Sequence, residues 1–170
     1  SFDGRKFVRL PQEGFSGRSA ITHILEDRSG RIWFASWGEG VFCSDGRTCR
    51  RYTTADGLPS DNVATIFEDR QGRLWFGTAV GCLACFDSGD FTRIDFLPSP
   101  ADANVTSILE TEDGTLWFSA WGVGLCAYDG DDFRIYSRDD GLPTHLLWVV
   151  RGGDDGCLWV GTAGHGAFTF

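Results

Sequence analysis

The stretch ETEDGTLWFSAWGVG at residues 110–124 has a close copy, EDRSGRIWFASWGEG, at 26–40. The landmark they share is a tryptophan preceded by leucine or isoleucine. Outward from these two copies the same landmark falls at Trp33, Trp75, Trp117 and Trp159, always 42 residues apart. A glycine stands three residues before each one, at Gly30, Gly72, Gly114 and Gly156. Glu26, Glu68 and Glu110 stand four residues before the first three of those glycines. Upstream of each landmark runs an alternating apolar stretch such as AITHIL (20–25), VATIFE (63–68) or VTSILE (105–110). Downstream come a glycine-rich turn, a short apolar run, an Asp-Gly turn and an aromatic segment such as DFRIY at 132–136.

Alternation with a period of two, bounded by turn residues, predicts short antiparallel strands, four to a unit. A period of about 40 residues with four strands each is that of a β-propeller blade. One four-stranded sheet cannot bury both of its faces, whereas sheets stacked around an axis can, and the ring hides most edges. The sequence therefore predicts an all-β fold, a single β-propeller domain over 1–170 built from four 42-residue, four-stranded antiparallel blades. Trp33, Trp75, Trp117 and Trp159 are expected as core residues between blades.

A longer period lies over the first. Four residues after the landmark, units one and three carry Trp37 and Trp121, each followed by glycine, while units two and four carry Ala79 and Ala163. DGLP precedes units two and four, at 56–59 and 140–143, where units one and three have EGFS and SPAD. The repeat is thus 84 residues as well as 42, as duplication of a blade pair would leave it. The last unit stops at HGAFTF (165–170), after its third strand, and the chain opens with SFDGRKFVRL (1–10), which matches YDGDDFRIYS at 128–137. Residues 1–10 are expected to supply the outer strand of the last blade, since the alternative is an open sheet edge.

Composition narrows the function classes. The chain has 170 residues, 42% hydrophobic, enough for one real core. No apolar run reaches the ~18 residues of a membrane-spanning helix, and no signal-peptide pattern is present. Methionine is absent, even at position 1, so the chain is read as a processed or excised piece. The net charge of −9 and the scatter of fourteen arginines and the single Lys6 exclude nucleic acid as a partner.

The strings DGLPSDNVATIFEDRQGRLWFGT (56–78) and YDGDDFRIYSRDDGLP (128–143) resemble the repeat of the two-component regulator propeller family. The resemblance extends over essentially the whole chain. It implies the periplasmic, extracytoplasmic sensor region of a bacterial hybrid histidine kinase. In that family larger propellers, often two, precede an immunoglobulin-like domain, a membrane helix and a kinase. The chain has four blades, and no residue of it belongs to the kinase. Streptogramin lyase propellers share the core strand more weakly. Four blades leave three arrangements: a self-closed four-bladed monomer, an eight-bladed ring formed by a homodimer, or a part of a larger propeller. Rings of about six to eight blades suit sheets of this width, so a homo-oligomer, as a two-fold dimer, is preferred.

Catalytic patterns are poor, so catalytic, metal and cofactor assignments are none. His23, His145 and His165 sit in no metal-ligand spacing, and no GxSxG elbow occurs. The aspartates of the Asp-Gly turns fit turn formation rather than a calcium loop. Cys82 and Cys85 form a CxxC, but three residues apart in a strand they point to opposite faces. They read, with Cys43, Cys49, Cys126 and Cys157, as small core residues, although unpaired thiols fit poorly with an oxidising compartment. A binding face is better supported. The turn between second and third strands shares one face of a propeller with the blade-to-blade connection. Trp37, Trp121, Glu39 and His165 lie in the turns, and Asp61, Asn62, Asn104 and His145 in the connections. Aromatic planes flanked by carboxylates and amides suit a sugar or other polar small molecule. Packing of both tryptophans onto neighbouring blades accounts for them equally well. The reading is therefore a non-catalytic recognition or sensing module. A scaffold holding a protein partner and a lyase-like enzyme at the central opening stand as alternatives.

Overall fold

The computed structural model describes residues 19–97, 103–153 and 156–170. Among these described residues fifteen strands form four antiparallel sheets, each a simple meander. Blade 1 holds β1 (Ile21–Glu26), β2 (Ile32–Ser36), β3 (Val41–Ser44) and β4 (Cys49–Tyr52). Blade 2 holds β5 (Val63–Glu68), β6 (Leu74–Thr78), β7 (Cys82–Asp87) and β8 (Asp90–Asp95). Blade 3 holds β9 (Asn104–Glu110), β10 (Leu116–Trp121), β11 (Gly124–Tyr128) and β12 (Phe133–Tyr136). Blade 4 holds β13 (Leu147–Gly152), β14 (Leu158–Thr162) and β15 (Ala167–Thr169). The strand expected from residues 1–10 lies outside the described residues. First strands pack in succession, β1 on β5, β5 on β9 and β9 on β13, so the sheets fan out around a line of inner strands, as propeller blades do.

The turn between the first two strands shows how the repeat folds locally. Asp27 Oδ1 accepts the backbone N–H groups of Ser29 and Arg31 at 2.9 Å each, with Gly30 at φ +77°. This is an Asx-stabilised tight turn. The other oxygen, Oδ2, accepts the indole N–H of Trp33 at 2.7 Å and Arg31 Nε at 2.6 Å. Blade 2 repeats it: Asp69 accepts Gln71 N, Arg73 N, Trp75 Nε1 at 2.7 Å and Arg73 Nε at 2.7 Å. Each arginine also covers its tryptophan ring, at 5.4 and 5.2 Å. Burial alone would raise the pKa of Asp27, but the bonds from Trp33 and Arg31 bring it below the ordinary value. Blade 3 has Thr111 and blade 4 has Gly153 at this position, so neither offers the carboxylate.

The landmark tryptophans then pack forward onto the next blade. Trp33 meets Phe86 at 5.3 Å and Phe76 at 5.9 Å, Trp75 meets Tyr128 at 6.0 Å, and Trp117 meets Phe170 at 5.4 Å. Trp33 and Trp75 are fully buried. Trp159 is not the core residue expected: it is 49% exposed, because among the described residues no fifth sheet covers it. At the other end of the stack Ile24 is 58% exposed and Ile21 also faces solvent, where Ile66, Ile108 and Val150 are buried at the position of Ile24. The described blades thus form an open stack with two uncovered faces.

Polar latches reinforce the first joints. Arg28 N–H donates to Glu68 Oε2 at 3.0 Å and its guanidinium to Arg70 O at 2.7 Å. One blade later Arg70 donates to Glu110 Oε2 at 2.8 Å and Glu112 O at 2.6 Å. The series stops at Glu112, which has replaced the arginine, and Gly152, which has replaced the glutamate. Along the inner edge, Thr22 Oγ1 donates to Val63 O at 2.6 Å and Thr106 Oγ1 to Leu147 O at 3.2 Å. His23 Nδ1 accepts the backbone N–H of Ile66 at 2.9 Å.

Two consequences are testable. Asp69→Ala strands a buried indole N–H and removes a charge-assisted bond, so denaturant unfolding should show a loss of about 2–4 kcal/mol, against under about 1 kcal/mol for Asp113→Ala on the exposed blade 3 turn. His23 is held below its ordinary pKa of 6.5, first by burial and then by the positive charge of Arg151. The unfolded chain then binds the proton more readily than the folded one. Stability is intact above pH 6.5 and is lost as pH falls from there through the folded pKa. His23→Gln keeps an acceptor but does not titrate, and its unfolding free energy should fall less steeply with acid than that of the wild type.

Candidate functional site

Each turn between second and third strands meets a blade-to-blade connection. Gly38 and Gly40 N–H both donate to Asp61 O, at 3.0 and 2.9 Å, and Trp37 pairs with Asn62 as an isolated bridge. Gly81 donates to Ala103 O, Gly122 to His145 O at 3.0 Å, and Ala163 to Leu146 O. One end of the stack therefore carries both segment types as a continuous rim. The W-G-x-G form of odd blades has a steric cause. A Cβ on Gly40 would lie 2.2 Å from Tyr52 O, and one on Gly124 would lie 2.1 Å from Tyr136 O. Only glycine lets the turn approach the outer strand so closely.

The DGLP connections are structural. Thr53 and Asp56 form a reciprocal cap on the 3-10 turn Thr54–Asp56, which ends at Gly57 with φ +97°. Leu58 then drops into the core at 2% exposure. Ser137, Asp140 and Gly141 repeat the cap. Asp61 also serves the scaffold, its Oδ1 accepting Thr54 N–H at 2.8 Å.

The rim residues singled out from the sequence divide into groups. Over blades 1 and 2 lie Trp37, Glu39, Asp61 and Asn62. Trp37 is 43% exposed, whereas Glu39 is only 6% exposed, with its carbonyl accepting Arg51 Nε at 2.8 Å. Over blades 3 and 4 lie Trp121, Asn104 and His145, with Asn104 directly opposite Trp121 in the β9–β10 register. The side-chain oxygen of Asn104 is buried and has no hydrogen-bond partner among the described residues. His165 is exposed and held within its own turn, its backbone N–H on Thr162 Oγ1 and its Nδ1 on Ala163 O.

Trp148, not singled out from the sequence, completes the second group. Its ring lies 4.6 Å from that of Trp121, inclined by 50°, and it is 54% exposed. The cause is a β-bulge that recurs on every inner strand, at 22, 64, 106 and 148. Thr22 and Thr106 use the bulge to latch the next blade. In blade 4 the bulge instead turns Trp148 outward. The 42-residue spacing held that position in view, but alternation alone places it inside a strand. His23, Thr65, Ser107 and Arg151 are further inner-edge residues.

Among the described residues no group of three metal-ligating side chains exists. Burial pushes the thiols of Cys43 and Cys85 up to about 11 and that of Cys126 to about 12, so they stay protonated at neutral pH. Among the described residues no helix is long and apolar enough to cross a membrane. At the opposite end of the sheets a cleft of about 1030 Å³ opens between blades 3 and 4, beside Trp117, Glu112 and Cys157.

Known structures share this fold. The extracellular domain described for the hybrid two-component system BT4673 of B. thetaiotaomicron superposes with a TM-score of 0.78 over 95% of this chain and 25% of its own, at 19% identity. That of BT3049 from the same organism gives 0.74 over 91% and 23%, at 22% identity. Virginiamycin B lyase from Staphylococcus aureus, in an inactive variant with quinupristin, gives 0.71 over 92% and 57%, at 18% identity. The chain thus spans about a quarter of the length of these two extracellular domains. No curated protein matches it in sequence. The two-component regulator propeller family matches at residues 14–38, 57–79 and 99–122, across blades 1 to 3. The repeat and the sheet order are those of a propeller, and three segments of the chain match the two-component regulator propeller family.

Proposed function

We propose that this chain is a non-catalytic recognition module of a periplasmic sensor, and that it binds a sugar or similar polar small molecule on the rim over blades 3 and 4. One observation carries the reading. A pair of indoles, the exposed Trp148 and the partly buried Trp121, stands beside an amide oxygen, that of Asn104, which lacks a donor among the described residues. Indole faces stack on the apolar face of a sugar ring, and a buried acceptor without a partner is satisfied by a ligand hydroxyl. Sensing by a propeller of this family and the extracellular setting of the similar domains agree with it. Trp37, Asn62, His145 and His165 extend the same rim and would contact a longer ligand, whereas the buried Glu39 and the capping Asp61 hold its shape.

A second reading concerns self-assembly and is favoured by the two uncovered faces. Ile21 and Ile24 on blade 1 and Trp159 on blade 4 are the unused halves of the joint that the chain forms between its own blades. Two copies joined in both places would close an eight-bladed ring by two-fold symmetry.

Quenching of tryptophan emission by a panel of neutral and acidic oligosaccharides tests the first reading. Saturable quenching is expected in the wild type, with affinity up to about tenfold weaker in Trp121→Ala and Trp148→Ala, since each removes about 0.5–1.5 kcal/mol of stacking. Loss of folding in both variants with no wild-type ligand would overturn it. Light scattering after size exclusion tests the second. A mass twice the 18.7 kDa of one chain is expected, reverting to one chain in Ile24→Glu, and a monomeric wild type would exclude it.

A further inference from the structure

The repeats act as internal controls for one another, and two inner-edge positions break them. At 25, 67 and 109 the chain has Leu25, Phe67 and Leu109, which pack against the cores between blades. The fourth copy of that position is Arg151. At 23, 65, 107 and 149 the residues are His23, Thr65, Ser107 and Val149. Neither the arginine nor the histidine is demanded by the fold, since leucine and threonine occupy the same places one or two blades away.

The structure gives both a defined posture. Arg151 stands opposite Trp159 in the β13–β14 register, yet its guanidinium reaches back along the inner edge to blade 3. There NH1 donates to Ser107 Oγ at 3.2 Å and to Val150 O at 3.1 Å. Ser107 Oγ itself donates to Val150 O at 3.3 Å. Among the described residues no carboxylate pairs with Arg151, although the chain carries 24 acidic residues and a net charge of −9. The remaining N–H groups of its fork are left for another acceptor. His23 is fixed from the other side. Its Nδ1 accepts Ile66 N–H at 2.9 Å and lies 3.0 Å from Thr65 Oγ1, whose hydroxyl donates to it. The proton of the neutral ring therefore sits on Nε2, which is left as a donor. The charge of Arg151 reaches this ring and helps keep it neutral. His23 is held on Thr65 and Arg151 on Ser107, and these two hydroxyl residues occupy the same repeat position on the adjoining inner strands β5 and β9, so the guanidinium and the imidazole N–H belong to one layer of the inner edge, with no negative partner among the described residues.

We propose that Arg151, anchored by Ser107, and His23 bind a small oxyanion, a carboxylate or phosphate group, at the inner edge of the blades. The fork of Arg151 supplies parallel N–H donors to two oxygens and His23 Nε2–H a further one. The site is separate from the Trp121–Trp148 rim and does not depend on it.

The test is a titration of the protein with sodium acetate and, separately, sodium phosphate at constant ionic strength. It is followed by the imidazole nitrogen resonances of the three histidines. The His23 Nε2 signal should move saturably while those of His145 and His165 stay in place. Tighter binding of acetate assigns the site to carboxylates, and tighter binding of phosphate to phosphate esters. Arg151→Leu, the residue of blades 1 and 3, should abolish the shift with folding intact. Arg151→Lys, which keeps the charge but not the fork, should weaken it about tenfold. No saturable movement of His23 with either anion, or an unchanged one in Arg151→Leu, overturns the proposal. Should Arg151→Leu fail to fold, Arg151→Lys and the wild-type titration still decide it.

Discussion

A four-stranded sheet with two apolar faces is stable only between two others, and the rest of this structure depends on that constraint. The landmark tryptophan answers it. Its ring leaves its own sheet and packs on an aromatic residue of the next, Trp33 on Phe86, Trp75 on Tyr128, Trp117 on Phe170. Where its indole N–H would be stranded by burial, in blades 1 and 2, a buried aspartate in the preceding turn receives it. The same carboxylate shapes the turn, so local and tertiary structure share one group. This agreement between levels specifies a fold strongly.

The joints are not equal. Blades 1, 2 and 3 are tied by buried aromatic rings and by the arginine–glutamate latches at the turn end. The third joint lacks both the aspartate and the latch. It is held by the buried Leu125, Leu147, Val150, Leu158 and Val160, by Thr106 and Ser107 at the inner edge, and by Trp117 with Phe170. A cleft opens there, and the Trp121–Trp148 pair and the unpartnered Asn104 oxygen lie over the same two blades. An unpartnered amide oxygen and the Trp121–Trp148 pair thus lie at the joint that lacks the turn carboxylate and the latch. Recognition surfaces commonly arise in such places, because the scaffold elsewhere is already satisfied.

Two symmetries are thus superposed. The rim alternates with a period of two blades, W-G-x-G on odd blades and DGLP before even ones. The turn end divides differently, with Asp27 and Asp69 in the first half and Thr111 and Gly153 in the second. Trp37 and Trp121 look equivalent in sequence but are not. Beside Trp121 stands Trp148, whereas the corresponding bulge in blade 2 holds Ala64.

What the sequence by itself determined is the blade: its period, its four-strand order, its turns and the sheet-facing role of Trp33 and Trp75. These are set by short-range alternation and turn chemistry, which a chain states locally. The shared rim of turns and connections also followed, since strand order alone puts them at one end. The tertiary structure decided what depends on neighbours. Trp159 is solvent-exposed because burial belongs to the adjoining sheet and not to the residue. Glu39 and Asp61, legible as polar rim residues, are taken up by the scaffold because the turn and the cap close over them. Trp148 emerges because a one-residue bulge reverses the facing that alternation assigns. Arg151 meets Ser107 only because sheets 44 residues apart in the chain lie side by side at the inner edge.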